Sequence, residues 1–156
     1  MYLIDTNIIA YFIRSNTRVI ELFEKYKNSI YFCSTVQMEC EYGALKNDST
    51  KLMTFYSTIF NSYKYIGFGK NESSCFAKIK NNLRIKGITV EDYDLMIASQ
   101  AITNNLTLVT NNTKHFENIE GLKLEDWSVQ SLVAITYRSI LVRSSISRAT
   151  SAIGVP

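Results

Sequence analysis

Four short apolar runs, at residues 2–4, 30–33, 65–68 and 106–109, are separated by stretches of helical periodicity, and no hairpin signal joins any two of them. Strands that alternate with helices and never meet through a tight turn run parallel, because a parallel pair needs a crossover of a dozen or more residues. The chain therefore reads as α/β, with a central, mainly parallel β-sheet of four to five strands flanked by helices; the fifth strand falls at 122–124. Its one proline is Pro156 and it has only six glycines, which favours helices over a turn-rich β architecture.

Helices are expected over 7–14, 17–27, 35–46, 50–61 and 71–86, with a last one ending at Thr103. Ser34 with Gln37, and Thr89 with Asp92, match the capping-box pattern at two of the starts. Gly87 and the pair Asn104-Asn105 supply stops. Residues 1–128 read as one domain with a sizeable core, and 129–156 as a C-terminal extension of different character. That extension has no acid, is rich in serine, and reads as a peripheral helix or as a segment foreign to the domain.

The net charge of +3 comes wholly from Arg138, Arg143 and Arg148, because all 14 acids and 14 of the 17 bases lie in residues 1–126. A broad basic footprint for nucleic acid is thus absent from the body of the chain, and any such binding needs a local site. Cys33, Cys40 and Cys75 form no CxxC pair and read as free thiols; His115 is the sole histidine, too few for a zinc site. No secretory signal and no membrane-length apolar stretch is seen, so the expected compartment is the cytoplasm, with no membrane partner.

Asp5, Glu39 and Asp94 break the apolar pattern, each lying within or at the end of an apolar segment. Asp5 closes the first strand, where open parallel sheets bind ligands, and it suits the N-cap of the next helix equally well. Glu39 shares a helix face with Thr35, Val36, Tyr42 and Gly43, away from a stripe of Gln37, Glu41, Ala44 and Asp48. A Thr or Tyr hydroxyl would satisfy it as readily as a ligand. Asp94 has Val90, Ile97, Ala98 and Ala101 around it, near a helix start whose dipole favours an anion. Burying an unpaired carboxylate costs several kcal/mol or forces its protonation. Three of them with few bases nearby point to a divalent cation.

Asn111 and Asn112 follow the fourth strand and bring amide oxygens to the same edge, or simply make its turn. His115 is a candidate acid or phosphate contact, or an ordinary surface histidine. Arg14 and Lys46, close in sequence to the acidic positions, and Lys78, Lys80, Arg84 and Lys86, around one helix, are candidate phosphate contacts; a solvated face explains the last four equally well. No GxSxG, GxGxxG or P-loop is present, which sets aside a nucleophile elbow and a nucleotide cofactor.

LIDTN at 3–7, STVQMECEYGALK at 34–46, EDYDLMIASQA at 91–101 and LTLVTNNTKHF at 106–116 resemble, in order and spacing, the motifs of PIN-domain ribonucleases. The likeness is closest to the VapC toxins of bacterial toxin–antitoxin pairs, and GLKLEDW at 121–127 is similar to the way those toxins end. The resemblance implies a PIN-like three-layer fold and a Mg²⁺- or Mn²⁺-dependent endoribonuclease in which Asp5, Glu39 and Asp94 are the catalytic, metal-binding acids. Many relatives carry a fourth acid where this chain has Asn112. Others have Asn-Asn there and a Glu where it has His115, which leaves the fourth position to water or to Asp92. Thr6, Asn7 and Thr110 would orient ligands or water.

The same resemblance implies an RNA substrate, commonly tRNA and in one subgroup initiator tRNA, so that cleavage inhibits translation. It also implies a homodimer and a VapB-like antitoxin lying across the acidic groove; exposed apolar residues of helices 7–14 and 50–61 are candidates for its surface, or equally ordinary core. Two other classes remain in view. A catalytically weak PIN-like module that binds RNA or protein is favoured by the substitution at the fourth acid. A small-molecule phosphohydrolase would need a DxD after the first strand, where Thr6 and Asn7 stand.

Overall fold

The computed structural model describes residues 1–129; the extension beyond them lies outside the described residues. In chain order the elements are β1 (Tyr2–Ile4), α1 (Thr6–Ile13), α2 (Thr17–Tyr26), β2 (Ile30–Cys33), α3 (Ser34–Lys46), α4 (Thr50–Ser62), β3 (Lys64–Ile66), α5 (Lys70–Ile85), α6 (Asp92–Thr103), β4 (Thr107–Val109), α7 (Thr113–Phe116) and β5 (Lys123–Glu125). The five strands form one sheet in the order β3-β2-β1-β4-β5, and every pair is parallel.

Burial follows the sheet order. Leu3, Ile4, Phe32, Leu108 and Val109 of the three inner strands are fully buried, as strands covered on both faces must be. The edge strands instead carry exposed Lys64, Tyr65, Lys123 and Glu125, which discourages edge-to-edge pairing. The chain fills one side of β1 first, then crosses to the other to lay down β4 and β5. That reversal leaves a crevice at the carboxyl ends of β1 and β4, the place where open α/β sheets hold ligands. Below it, Trp127, just after β5, is buried against Tyr2, Phe23 and Tyr26 with ring centroids 5.0, 6.1 and 5.8 Å away.

The α/β architecture and parallel sheet are as expected, but several local features differ. Neither capping box forms. Strand β2 runs straight into α3, so extended Cys33 is the N-cap and Ser34 is already helical, its hydroxyl accepting from Gln100. Gln37 is turned to Glu41 at 2.7 Å. Glu91 likewise caps α6, and Asp92 is drawn off by Lys80 at 2.7 Å. On α3 the inward stripe is Val36, Cys40 and Ala44, set at i, i+4 and i+8; Ala44 is therefore core, and Tyr42 faces solvent with Met38 and Leu45. The third strand begins at Lys64, one residue earlier than expected, and the polar loop after β4 contains α7. Of the two helices expected to expose an apolar surface, α1 shows Ile13, whereas Ile59 and Phe60 of α4 are core.

A candidate acidic active site

Asp5 follows β1 with extended backbone and caps α1, the second of the two roles its position allowed. It is also buried, 4% exposed. Its Oδ1 accepts from the Thr6 backbone N–H at 2.7 Å and its Oδ2 accepts from Asn7 Nδ2 at 2.6 Å, and the nearby Thr110 hydroxyl favours its charged form. The second Asn7 Nδ2 proton goes to Thr110 Oγ1 at 2.9 Å, and Asn7 Oδ1 accepts from the Asn111 N–H at 3.1 Å. Thr110, fully buried, accepts in addition from the Asn112 N–H at 3.0 Å. Both lone pairs of that hydroxyl are in use. Thr110→Val keeps the shape but strands two N–H donors, and the expected cost is about 2 kcal/mol or more, read by denaturant unfolding at unchanged m-value.

Glu39 approaches from the second turn of α3 and is half-buried. Its Oε2 accepts from Thr6 Oγ1 at 2.8 Å, and the same hydroxyl oxygen stands 3.1 Å from Asp5 Oδ1. One hydroxyl carries one proton, so it cannot serve both carboxylates at full strength; the shorter contact is to Glu39. Asp94 sits in the first turn of α6 with its side chain 21% exposed, and its Oδ2 lies 3.3 Å from Nδ1 of His115 on α7. Three acids far apart in sequence thus reach one crevice from β1, α3 and α6.

Their electrostatics are mutually unfavourable. Burial pushes the Asp5 carboxyl above the usual range, against hydrogen bonds from Thr110 and Thr6, and the charge of Asp94 raises it further. Burial likewise raises Glu39, opposed by the Thr6 hydroxyl and reinforced by the charges of Asp5 and Asp94. Among the described residues the one Lys or Arg ion pair is Lys80–Asp92, so neither Asp5 nor Glu39 has a Lys or Arg counter-ion. A set of oxygen anions without counter-charge suits a hard divalent cation. As the side chains stand, no three His, Cys, Asp or Glu groups among the described residues converge closely enough to hold a metal ion. Like-charge repulsion opposes that convergence, and a cation would relieve it. Burial pushes the Cys33 and Cys40 thiols up to about 12, which leaves them as core groups rather than thiolate ligands.

Two raised carboxyls have a consequence for stability. Between the ordinary carboxylate range and the raised values, the folded chain holds more protons than the unfolded one, so stability falls as pH rises through that window. Melting in EDTA across pH 4–8 is expected to show this fall, and Glu39→Gln, with one such carboxyl fewer, a shallower one. Identical slopes for the two proteins would contradict it.

The other candidate positions are dispersed. Asp92, 60% exposed, is held by Lys80 and turned from the Asp94 face. Lys78, Lys80, Arg84 and Lys86 are exposed on or just after α5; Lys80 and Arg84 border a cleft of about 310 Å³ closed by residues 87–90. A second cleft, of about 220 Å³, lies between residues 88–91 and Lys114, His115 and Asn118. Arg14 caps the far end of α1 and Lys46 ends α3, so both sit away from the carboxylates. Two positions were not anticipated. Lys114 is exposed beside His115, its only signal being its place in the TNNTKHF run. Gln100, fully buried, accepts from Thr35 at 2.8 Å and donates to Ser34 Oγ at 3.1 Å, joining the helices that carry Glu39 and Asp94. A glutamine in an otherwise apolar helical run was its signal.

Comparison with known proteins places this geometry. A family model described as PIN domain matches residues 2–122. Ribonuclease VapC2 of Rickettsia felis is 35% identical over 136 residues, spanning 81% of this chain and 98% of that protein. The tRNA(fMet)-specific endonuclease VapC of Shigella flexneri is 30% identical, spanning 81% of this chain and 98% of its own. Among solved structures, VapBC2 from Rickettsia felis bound to a DNA fragment from its promoter superposes with a TM-score of 0.74 at 31% identity, covering 81% of this chain and 98% of that one. DNA-bound VapBC from Salmonella typhimurium gives 0.73 at 27%, covering 81% and 97%.

Proposed function

The chain belongs to the PIN-domain family, as a VapC ribonuclease toxin, and from that premise we propose that it is a Mg²⁺- or Mn²⁺-dependent endoribonuclease acting on tRNA. The observation that carries this reading is that Asp5, Glu39 and Asp94 come near enough to raise one another's charge cost beside the carboxyl ends of β1 and β4, with no Lys or Arg counter-ion among the described residues. Those three side chains would hold the cation. When bound there, a divalent cation neutralises charge on the scissile phosphate and lowers the pKa of a water.

The chain's own residues divide the remaining work. Asp5 is immobilised by the Thr6 N–H and by Asn7, itself anchored on Thr110, so its carboxylate is presented without further ordering cost. Thr6 holds Glu39 towards Asp5. Asp94, less buried and in a helix first turn, retains freedom to adjust as an RNA strand arrives. Lys114 and His115 border the cleft beside it, where a flanking phosphate would lie.

For the substrate, support comes from the Shigella flexneri relative and a Salmonella typhimurium one, 29% identical, both named tRNA(fMet)-specific endonucleases. The solved VapBC complexes support a VapB-like antitoxin as partner, and a homodimer is part of the same reading. No helix among the described residues is long and apolar enough to cross a membrane, and a cytoplasmic site of action belongs to the same proposal. The test is to incubate the purified chain with total RNA and sequence the new 5′ ends. Ends concentrated in tRNA are expected; ends spread through messenger or ribosomal RNA would overturn the tRNA assignment. Intact RNA with tight binding would favour the non-catalytic module instead.

A further inference from the structure

We propose that Gln100 is a positioning residue for cleavage: its buried amide locks α6 to the start of α3 and so fixes how far Asp94 stands from Glu39. This rests on the nuclease reading above and extends it to a residue that hydrogen-bonds to none of the three acids. Gln100 is fully buried in the third turn of α6. Its Oε1 accepts from the Thr35 hydroxyl at 2.8 Å, and its Nε2 donates to Ser34 Oγ at 3.1 Å and to the Ile66 carbonyl at 3.4 Å. Ser34 and Thr35 open α3, and Ile66 ends β3. One side chain thus ties three elements together, and both of its N–H protons have an acceptor.

The packing around it explains why an amide serves here. The other buried side chains of α6 are Leu95, Ile97, Ala98, Ser99 and Ala101, and those of α3 are Thr35, Val36, Cys40 and Ala44. Apolar contact is non-directional, so small side chains of this kind let one helix slide or roll on another at little cost. A hydrogen bond is directional, and a buried polar group is costly to leave unpaired, so Gln100 selects one register of the two helices. The reach from clamp to site is short. Glu39 stands one turn after Thr35 on the same face of α3. Asp94 shares α6 with Gln100, about 9 Å along its axis. The charge of Asp94 bears on Glu39, and that repulsion pushes the helices apart. The clamp holds them against it.

The test compares the whole chain with Gln100→Met and with the double variant Thr35→Val/Gln100→Met. The single variant strands the Thr35 hydroxyl and should melt lower than the parent. The double variant replaces both partners by apolar groups of similar shape, and half-buried Ser34 can turn to water, so its melting temperature should lie near the parent's. Backbone residual dipolar couplings recorded in EDTA, without RNA, should show α6 reoriented against α3 in the double variant. On a tRNA pool in Mn²⁺, its kcat should fall by about tenfold to a hundredfold, with KM within about twofold of the parent's. Couplings that fit the parent's helix orientation, or a kcat within about threefold of the parent's, overturn the proposal and leave Gln100 as a satisfied buried amide. A parent chain that cuts no RNA overturns the nuclease reading and any role in cleavage with it. The couplings in EDTA then still report whether Gln100 sets the helix orientation, so the two failures are distinguishable.

Discussion

Asp94→Asn is expected to lower RNA cleavage by about a thousandfold or more, the equivalent of roughly 4 kcal/mol of transition-state stabilisation. The fold should hardly notice. Asp94 is partly exposed, and its carboxylate meets one side chain, His115, with no buried donor depending on it. Its favourable interaction with the α6 dipole is worth about 0.3–1 kcal/mol, and removing its charge relieves Asp5 and Glu39, which acts in the opposite direction. A melting curve and a kcat/KM on the same preparation check both halves. Cleavage within tenfold of the parent would remove Asp94 from the catalytic centre.

Asp5→Ala is expected to abolish cleavage and to damage the fold as well. It deletes the α1 cap and removes the Asp5 acceptor of Asn7 Nδ2 in a buried place. Together these should cost about 2–4 kcal/mol, after the relief of one buried charge has offset part of the loss. Urea unfolding measures it, with a lower midpoint and an unchanged slope. A midpoint equal to the parent's would show that the Asp5–Asn7–Thr110 network contributes nothing net to stability. Asp5 variants therefore mix two effects, and Asp94→Asn is the cleaner reporter of chemistry.

This difference between Asp5 and Asp94 was not readable from the chain alone. Periodicity identifies a strand at 2–4 and a helix over 35–46, since each pattern is local and each buries an apolar face. The parallel sense of the sheet follows from the same patterns plus the absence of hairpin signals, whereas the strand order β3-β2-β1-β4-β5 does not. Polar partners obey no such local rule. Asn7 and Thr110 are neighbours because β1 and β4 are adjacent at the centre of the sheet, a contact that exists only in the folded chain. The two capping boxes failed for a related reason: Ser34 and Asp92 found tertiary partners, Gln100 and Lys80, which outcompeted the local cap. Glu39 was legible as inward-facing, yet the neighbouring Tyr42 was misplaced, because α3 packs on its small residues Cys40 and Ala44 rather than on its largest.

The most direct measurement is cleavage of a total tRNA pool by purified protein, in Mg²⁺ or Mn²⁺ and in EDTA, beside Asp94→Asn prepared identically. Discrete fragments that require both the cation and Asp94 are the expected result, and the variant excludes a contaminating nuclease. Cleavage that persists in EDTA, or that Asp94→Asn performs equally well, would contradict a metal-dependent centre built from these three carboxylates.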